Sequence, residues 1–209
     1  WYPWAVQYFF LIAISYSALL LSLPGTIGRG QFAHRWQPMA RLALLITLSC
    51  TLVAPVALLA DLHQPMRFWH FYANATPTSW MSIGSILLPL YLFSVLGYVW
   101  LAWRPALQQA RRGQGFSAGV ARILSAGNWQ VSKPLLTVSA IMASLLAMGI
   151  MLYTGAEIAI IKARPLWHTN WLPVMFVTTG MVAAAGLVLV LNRFMSPQRE
   201  GRKDINRQG

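Results

Sequence analysis

The run WAVQYFFLIAISYSALLLSL, from Trp4 to Leu23, carries no charged side chain. A bilayer hydrocarbon core about 30 Å thick is crossed by about 20 apolar residues in helix, so this stretch reads as a membrane span. Four more runs of the same kind follow. They cover 42–60, interrupted only by Pro55; 81–103, with Pro89 inside; 135–161, with Glu157 near its end; and 172–191. Each proline removes a helical hydrogen bond, which predicts kinks at Pro55 and Pro89; neighbouring helices tolerate such kinks by shielding the freed carbonyls. The fold class that follows is all-α: an integral membrane helical bundle of about five transmembrane helices over residues 1–195. A polar, basic tail fills 196–209, and a short amphipathic surface helix is predicted around Phe116 to Ser125.

Composition excludes the alternatives. The chain is 57% hydrophobic and 10% charged, with a mean hydropathy of +0.53, whereas a soluble domain is about 25% charged and disordered chains are poor in apolar residues. The lone Cys50 leaves no disulfide framework, cysteine-ligated iron–sulfur cluster or CxxC site. A net charge of +12 would suggest nucleic acid in a soluble chain. Here the cations lie between the apolar runs, where they fix orientation and meet anionic lipid, so no nucleic acid partner is expected.

Those cations alternate from loop to loop. The first loop holds Arg29, Arg35 and Arg41, the third Arg104, Arg111, Arg112, Arg122 and Lys133, and the tail Arg193, Arg199, Arg202, Lys203 and Arg207. The second loop sets Arg67 against Asp61, and the fourth sets Lys162 and Arg164 beside Glu157. The positive-inside rule then predicts the N-terminus outside and the C-terminus in the cytoplasm. Trp69, Trp80, Trp167 and Trp171 fall at the predicted outer ends, and Trp36, Trp103 and Trp129 at the inner ends, as an aromatic belt requires. The sequence opens on Trp1 and not Met, so it reads as part of a longer frame, and the first run lacks a small-residue cleavage site.

Polar chemistry collects at the predicted outer rim. Asp61 closes the second span, followed by His63, Arg67 and His70, and Glu157 closes the fourth, followed by Lys162, Arg164 and His168. Tyr153 and Glu157 are four residues apart and share a helix face. Arg164 continues that stripe if the helix reaches it, although Pro165 follows. An ionised group at membrane depth costs roughly 2.5–3.5 kcal/mol on insertion scales and usually faces a cavity or a partner. Pairing of Asp61 with Arg67, or of Glu157 with Lys162 or Arg164, would explain the acids without function; single histidines at an interface are common.

A quinone headgroup is a flat ring with a carbonyl at each end. It needs hydrogen-bond donors, an apolar slot and a group that exchanges protons. Tyr, His, Asp and Glu beside aromatic residues supply those parts, although a transporter would show them too. No haem is expected, because no span carries a histidine at mid-depth. No metal site is expected either, for want of HExxH or related spacing.

At these segments the sequence resembles the NrfD-like membrane subunits of respiratory oxidoreductases, the polysulfide reductase membrane subunit family. The matching stretches are Trp4 to Phe10, Ala60 to Gln64, Trp69 to Ala73, Pro77 to Met81, Leu152 to Gly155 and Ala163 to Trp167, and the likeness extends to the family's tetrathionate reductase branch. The resemblance implies a subunit of the bacterial cytoplasmic membrane that anchors a molybdopterin catalytic subunit and a four-cluster iron–sulfur subunit. It would oxidise menaquinol or ubiquinol near the outer face and pass electrons to the nearest cluster, carrying neither haem nor metal. The quinone pocket would lie in the first four helices. Tyr153 would be a headgroup donor, Asp61 and His63 would stand in the site, and Gln7 would match a polar position on the first span. With His70 and Arg164 these are the candidate quinone-binding residues, and Asp61 and Glu157 are the candidates for taking protons. Family members carry more spans, so the likeness covers the first bundle and one further helix. Two other functions fit the residues: a proton-coupled transporter or channel using Asp61 and Glu157, and a passive anchor.

Overall fold

A computed structural model describes residues 3–62, 64–76, 78–113, 115–125, 127–159, 169 and 171–205. His63, Lys162, Arg164, Trp167 and His168 lie outside the described residues. Among those described, every regular element is helical: α1 (Pro3–Thr26), α2 (Gly30–Asp61), a 3-10 turn at Pro65–Arg67, α3 (His70–Ala73), α4 (Trp80–Ala110), α5 (Phe116–Leu124), α6 (Lys133–Ala159) and α7 (Leu172–Ile205). Five of them, α1, α2, α4, α6 and the 172–195 part of α7, are long and apolar enough to cross a membrane. They correspond to the five predicted spans, and α5 to the predicted amphipathic helix.

The helices outrun the apolar runs. α2 begins twelve positions before Leu42, so Arg35 and Arg41 of the predicted first loop are helical. The reversal between α1 and α2 is confined to a few residues, with Gly30 at φ +81, a left-handed conformation that only glycine adopts freely. α7 likewise continues as helix to Ile205, into the predicted tail. Hydropathy marks where lipid would be met, whereas helical hydrogen bonding continues past that boundary until a turn residue stops it. Pro38, Pro55, Pro89 and Pro105 are all carried inside helices.

α1, α2, α4 and α6 close a ring in which α1 packs on α2, α2 on α4, α4 on α6 and α6 on α1; α7 lies against α1, α2 and α6. Small residues permit the close approaches. Ala140, Ala143, Ala147 and Ile150 form a fully buried stripe down α6, as expected where lipid supplies no hydrophobic drive and helices associate through packing and hydrogen bonds. Ala184 and Val188 of α7 join a second cluster with Ile14, Ala18, Ala43, Ile46 and Cys50.

Between α1 and α4 the bridges are hydroxyls. The Ser15 and Tyr91 hydroxyls are 2.8 Å apart, and Ser15 also pairs with Thr51 of α2. The Tyr98 hydroxyl lies 2.6 Å from Thr26 Oγ1 and 3.2 Å from Ser22 Oγ. Several of the same side chains bond their own helix as well: Ser22 donates to Leu19 O at 2.6 Å, Thr47 to Ala43 O at 2.9 Å and Thr51 to Thr47 O at 2.7 Å. At the opposite end from Trp80, Arg104 is buried, with its guanidinium 3.8 Å from the Trp129 ring centre and 5.2 Å from that of Trp100. Its Nε donates to Trp129 O at 3.1 Å and Nη2 to Gly127 O at 3.2 Å. Placed by sequence among the loop charges, Arg104 instead ties the α5–α6 connection to α4.

Candidate functional site

The start of α1, the start of α4 and the close of α6 meet at one end of the ring, and the chemistry concentrates there. Tyr153 and Glu157 share a face of α6, as four-residue spacing requires, which sets the phenol beside the carboxylate. Glu157 is half-buried, and the buried Tyr8 phenol of α1 lies near it. The Trp80 ring, on the first turn of α4, is centred 6.4 Å from the Tyr153 ring. A phenol that donates, a carboxylate that accepts, a second phenol and an indole face are thus assembled from three helices.

Each residue of the Tyr153-Thr154-Gly155 triplet has its own constraint. A Cβ added to Gly84 of α4 would collide with the Tyr153 hydroxyl, so the phenol occupies space that only glycine leaves open. Thr154 is fully buried and faces the Tyr16 hydroxyl, which closes no hydrogen bond among the described residues. Gly155 abuts α7, where an added Cβ would come 2.5 Å from Pro173 Cα.

Of the other candidates, Asp61, His70 and Gln7 are among the described residues. Asp61 is the last residue of α2; it is partly buried, and its Oδ1 finds no hydrogen-bond partner among the described residues. His70 lies in the α2–α4 connection, its ring 3.9 Å from that of Trp69. With Arg67, Phe68, Asn74 and Ser82 it lines an open cavity of about 610 Å³ that includes neither Tyr153 nor Glu157. Gln7 is exposed. Tyr8 and Gly84 escaped sequence reading because both sit in apolar runs. The signal that marks them is a seven-residue interval, Tyr8 to Ser15 to Ser22 on α1 and Gly84 to Tyr91 to Tyr98 on α4.

The protein is similar to several known proteins along nearly its whole length. It is 37% identical to a tetrathionate reductase subunit from Salmonella typhimurium over 198 residues, which cover 92% of this sequence and 49% of that one. It is 24% identical to a selenate reductase subunit from Mesobacillus selenatarsenatis over 207 residues, 93% of this sequence and 48% of the relative. Against a polysulfide reductase component from Wolinella succinogenes the identity is 26% over 202 residues, 96% and 60% of the two sequences. The protein therefore spans about half the length of the first two relatives. No solved structure matches it at a significant level. Residues 1–207 match the family described as polysulphide reductase, NrfD, and with five helices fit to span a bilayer this is a multi-pass membrane protein that belongs to the NrfD family.

Proposed function

We propose that this protein is the membrane anchor and quinol-oxidising part of a respiratory oxidoreductase of the tetrathionate or polysulfide reductase type. Electrons would pass to an extracytoplasmic iron–sulfur subunit and on to a molybdopterin catalytic subunit. The names of the relatives, each a part of a reductase, support the class of complex. The observation that carries the site is the buried Tyr153 phenol set against Glu157, with Tyr8 and Trp80 beside it.

These residues fit a menaquinone or ubiquinone headgroup. A bound quinol supplies two electrons and two protons. Tyr153 can donate a hydrogen bond to a ring oxygen and so hold the ring's orientation. Glu157, beside that hydroxyl, can take a proton at a carboxylate oxygen. Its half-buried position leaves a route for that proton to water. Trp80 offers a flat apolar face, and Tyr8, buried in the packed core, closes the cluster on its inner side. Asp61, with one oxygen unpartnered among the described residues, is the second proton acceptor at the same end. His63, His70, Gln7 and Arg164 complete the proposed binding set. The alternation of basic loops supports an orientation with this end outside and the α5 end in the cytoplasm.

The test separates quinol chemistry from the catalytic subunit. In membranes holding the assembled complex, Tyr153→Phe and Asp61→Asn should each abolish quinol-driven reduction while an artificial dye donor still drives the enzyme. Full quinol activity in both variants would remove the assignment. Competition by a quinone analogue distinguishes the proposal from a passive anchor, which such an analogue leaves unaffected.

A further inference from the structure

The bridges between α1 and α4 repeat at a fixed register. Ser15 meets Tyr91 and Ser22 meets Tyr98, each pair 76 positions apart. Two helices that keep one offset over a heptad run parallel, with facing side chains every seven residues. One heptad nearer the start of α1, the same register sets Tyr8 opposite Gly84. Here the pattern changes, because α1 still presents a phenol while α4 presents no side chain.

The space is taken by a third helix. A Cβ on Gly84 would collide with the Tyr153 hydroxyl and Cζ and come 2.9 Å from Cε1. The contact involves the ring itself, and Tyr153 is only 8% exposed, so the ring has little room to give way. Gly84 has no positive φ to justify a glycine, and glycine within a helix is less stable than alanine by roughly 0.5–1 kcal/mol. What the position uses is the missing methyl.

The geometry points to Gly84 as a positioning residue that seats the Tyr153 ring in the surface of α4 and thereby holds its hydroxyl against Glu157 and Tyr8. This rests on the reading of Tyr153 as a headgroup donor. Any side chain at 84 turns the phenol off its rotamer or pushes α6 from α4. The slot is thus specific for an aromatic ring arriving from α6, just as the two deeper levels are specific for tyrosines arriving from α4.

Two measurements on the full-length protein, purified in detergent, test this. The first is thermal unfolding, which needs no quinone. Gly84→Ala should lower the midpoint, and the same change made on a Tyr153→Ala background should not, since the collision is gone. An unchanged midpoint for Gly84→Ala, or an equal loss in both backgrounds, overturns the seat. The second is quenching of tryptophan fluorescence by a short-chain benzoquinone. Gly84→Ala should weaken binding about tenfold, the scale of one lost hydrogen bond. On a Tyr153→Phe background it should weaken binding by less than about twofold, because the hydroxyl it displaces is already absent. A tenfold loss in both backgrounds shows that Gly84 acts by another route and overturns the positioning role. Wild-type affinity in Tyr153→Phe alone removes the quinone reading of Tyr153, while the unfolding measurement still decides whether Gly84 seats it.

Discussion

Tyr153, Thr154 and Gly155 are consecutive, yet each answers to a different helix: Gly84 of α4, Tyr16 of α1 and Pro173 of α7. A substitution at each should therefore fail in its own way. Gly155→Ala drives a methyl into the α7 backbone, and overpacking of this kind destabilises by about 1–3 kcal/mol; unfolding in denaturing detergent, compared with wild type, measures the loss. An unchanged unfolding curve would show that α6 and α7 do not pack here as described. Sequence alone put Tyr153 and Glu157 on one helix face, because four-residue spacing is a local signal. It passed over Tyr8, which looks like one more aromatic in an apolar run, and it counted Arg104 as a loop cation. Arg104 is buried by contacts with Gly127 and Trp129, more than twenty positions away, and no local pattern reports such a contact.

At the scale of helices, the hydroxyl bridges account for the parallel register of α1 and α4. Interhelical hydrogen bonds in membranes average about 0.6 kcal/mol, with a maximum near 1.7, so Tyr91→Phe and Tyr98→Phe should each lower stability modestly. The two sites are two turns apart, and their losses should add; a thermal unfolding cycle on the two single variants and the double checks both size and additivity. Arg104 works at a different scale, since its head joins a helix to a connection. Arg104→Ala should leave α4 helical and free the 125–132 segment, read as faster cleavage there by an added protease. The five spans were legible because twenty uncharged residues in a row have few other readings. Their true ends were not, because hydropathy stops at Leu42 while helix geometry is content with Arg35 and Arg41.

For the molecule as a whole, the proposed orientation is open to direct measurement. Cys50 is the sequence's only cysteine and it is buried, so a Cys50→Ala background gives a clean start. In sealed right-side-out vesicles, Gln64→Cys should react with a membrane-impermeant maleimide, and Arg112→Cys only after permeabilisation. The reverse pattern would invert the topology and move the Tyr153 cluster to the cytoplasmic end. The closed ring of α1, α2, α4 and α6 was foreshadowed only by family likeness, because periodicity gives helices and not their neighbours.

The hydroxyls that bond their own backbone have a consequence for biogenesis. During synthesis α1 and α2 emerge from the ribosome before α4, so Ser22, Thr47 and Thr51 can meet lipid before Tyr91 and Tyr98 are there to pair with Ser15 and Ser22. Because each already donates to a carbonyl three or four residues back, the nascent hairpin can leave the translocon with those groups satisfied. The later helix then finds oxygens with lone pairs to spare, and docks without any of them having waited bare in hydrocarbon.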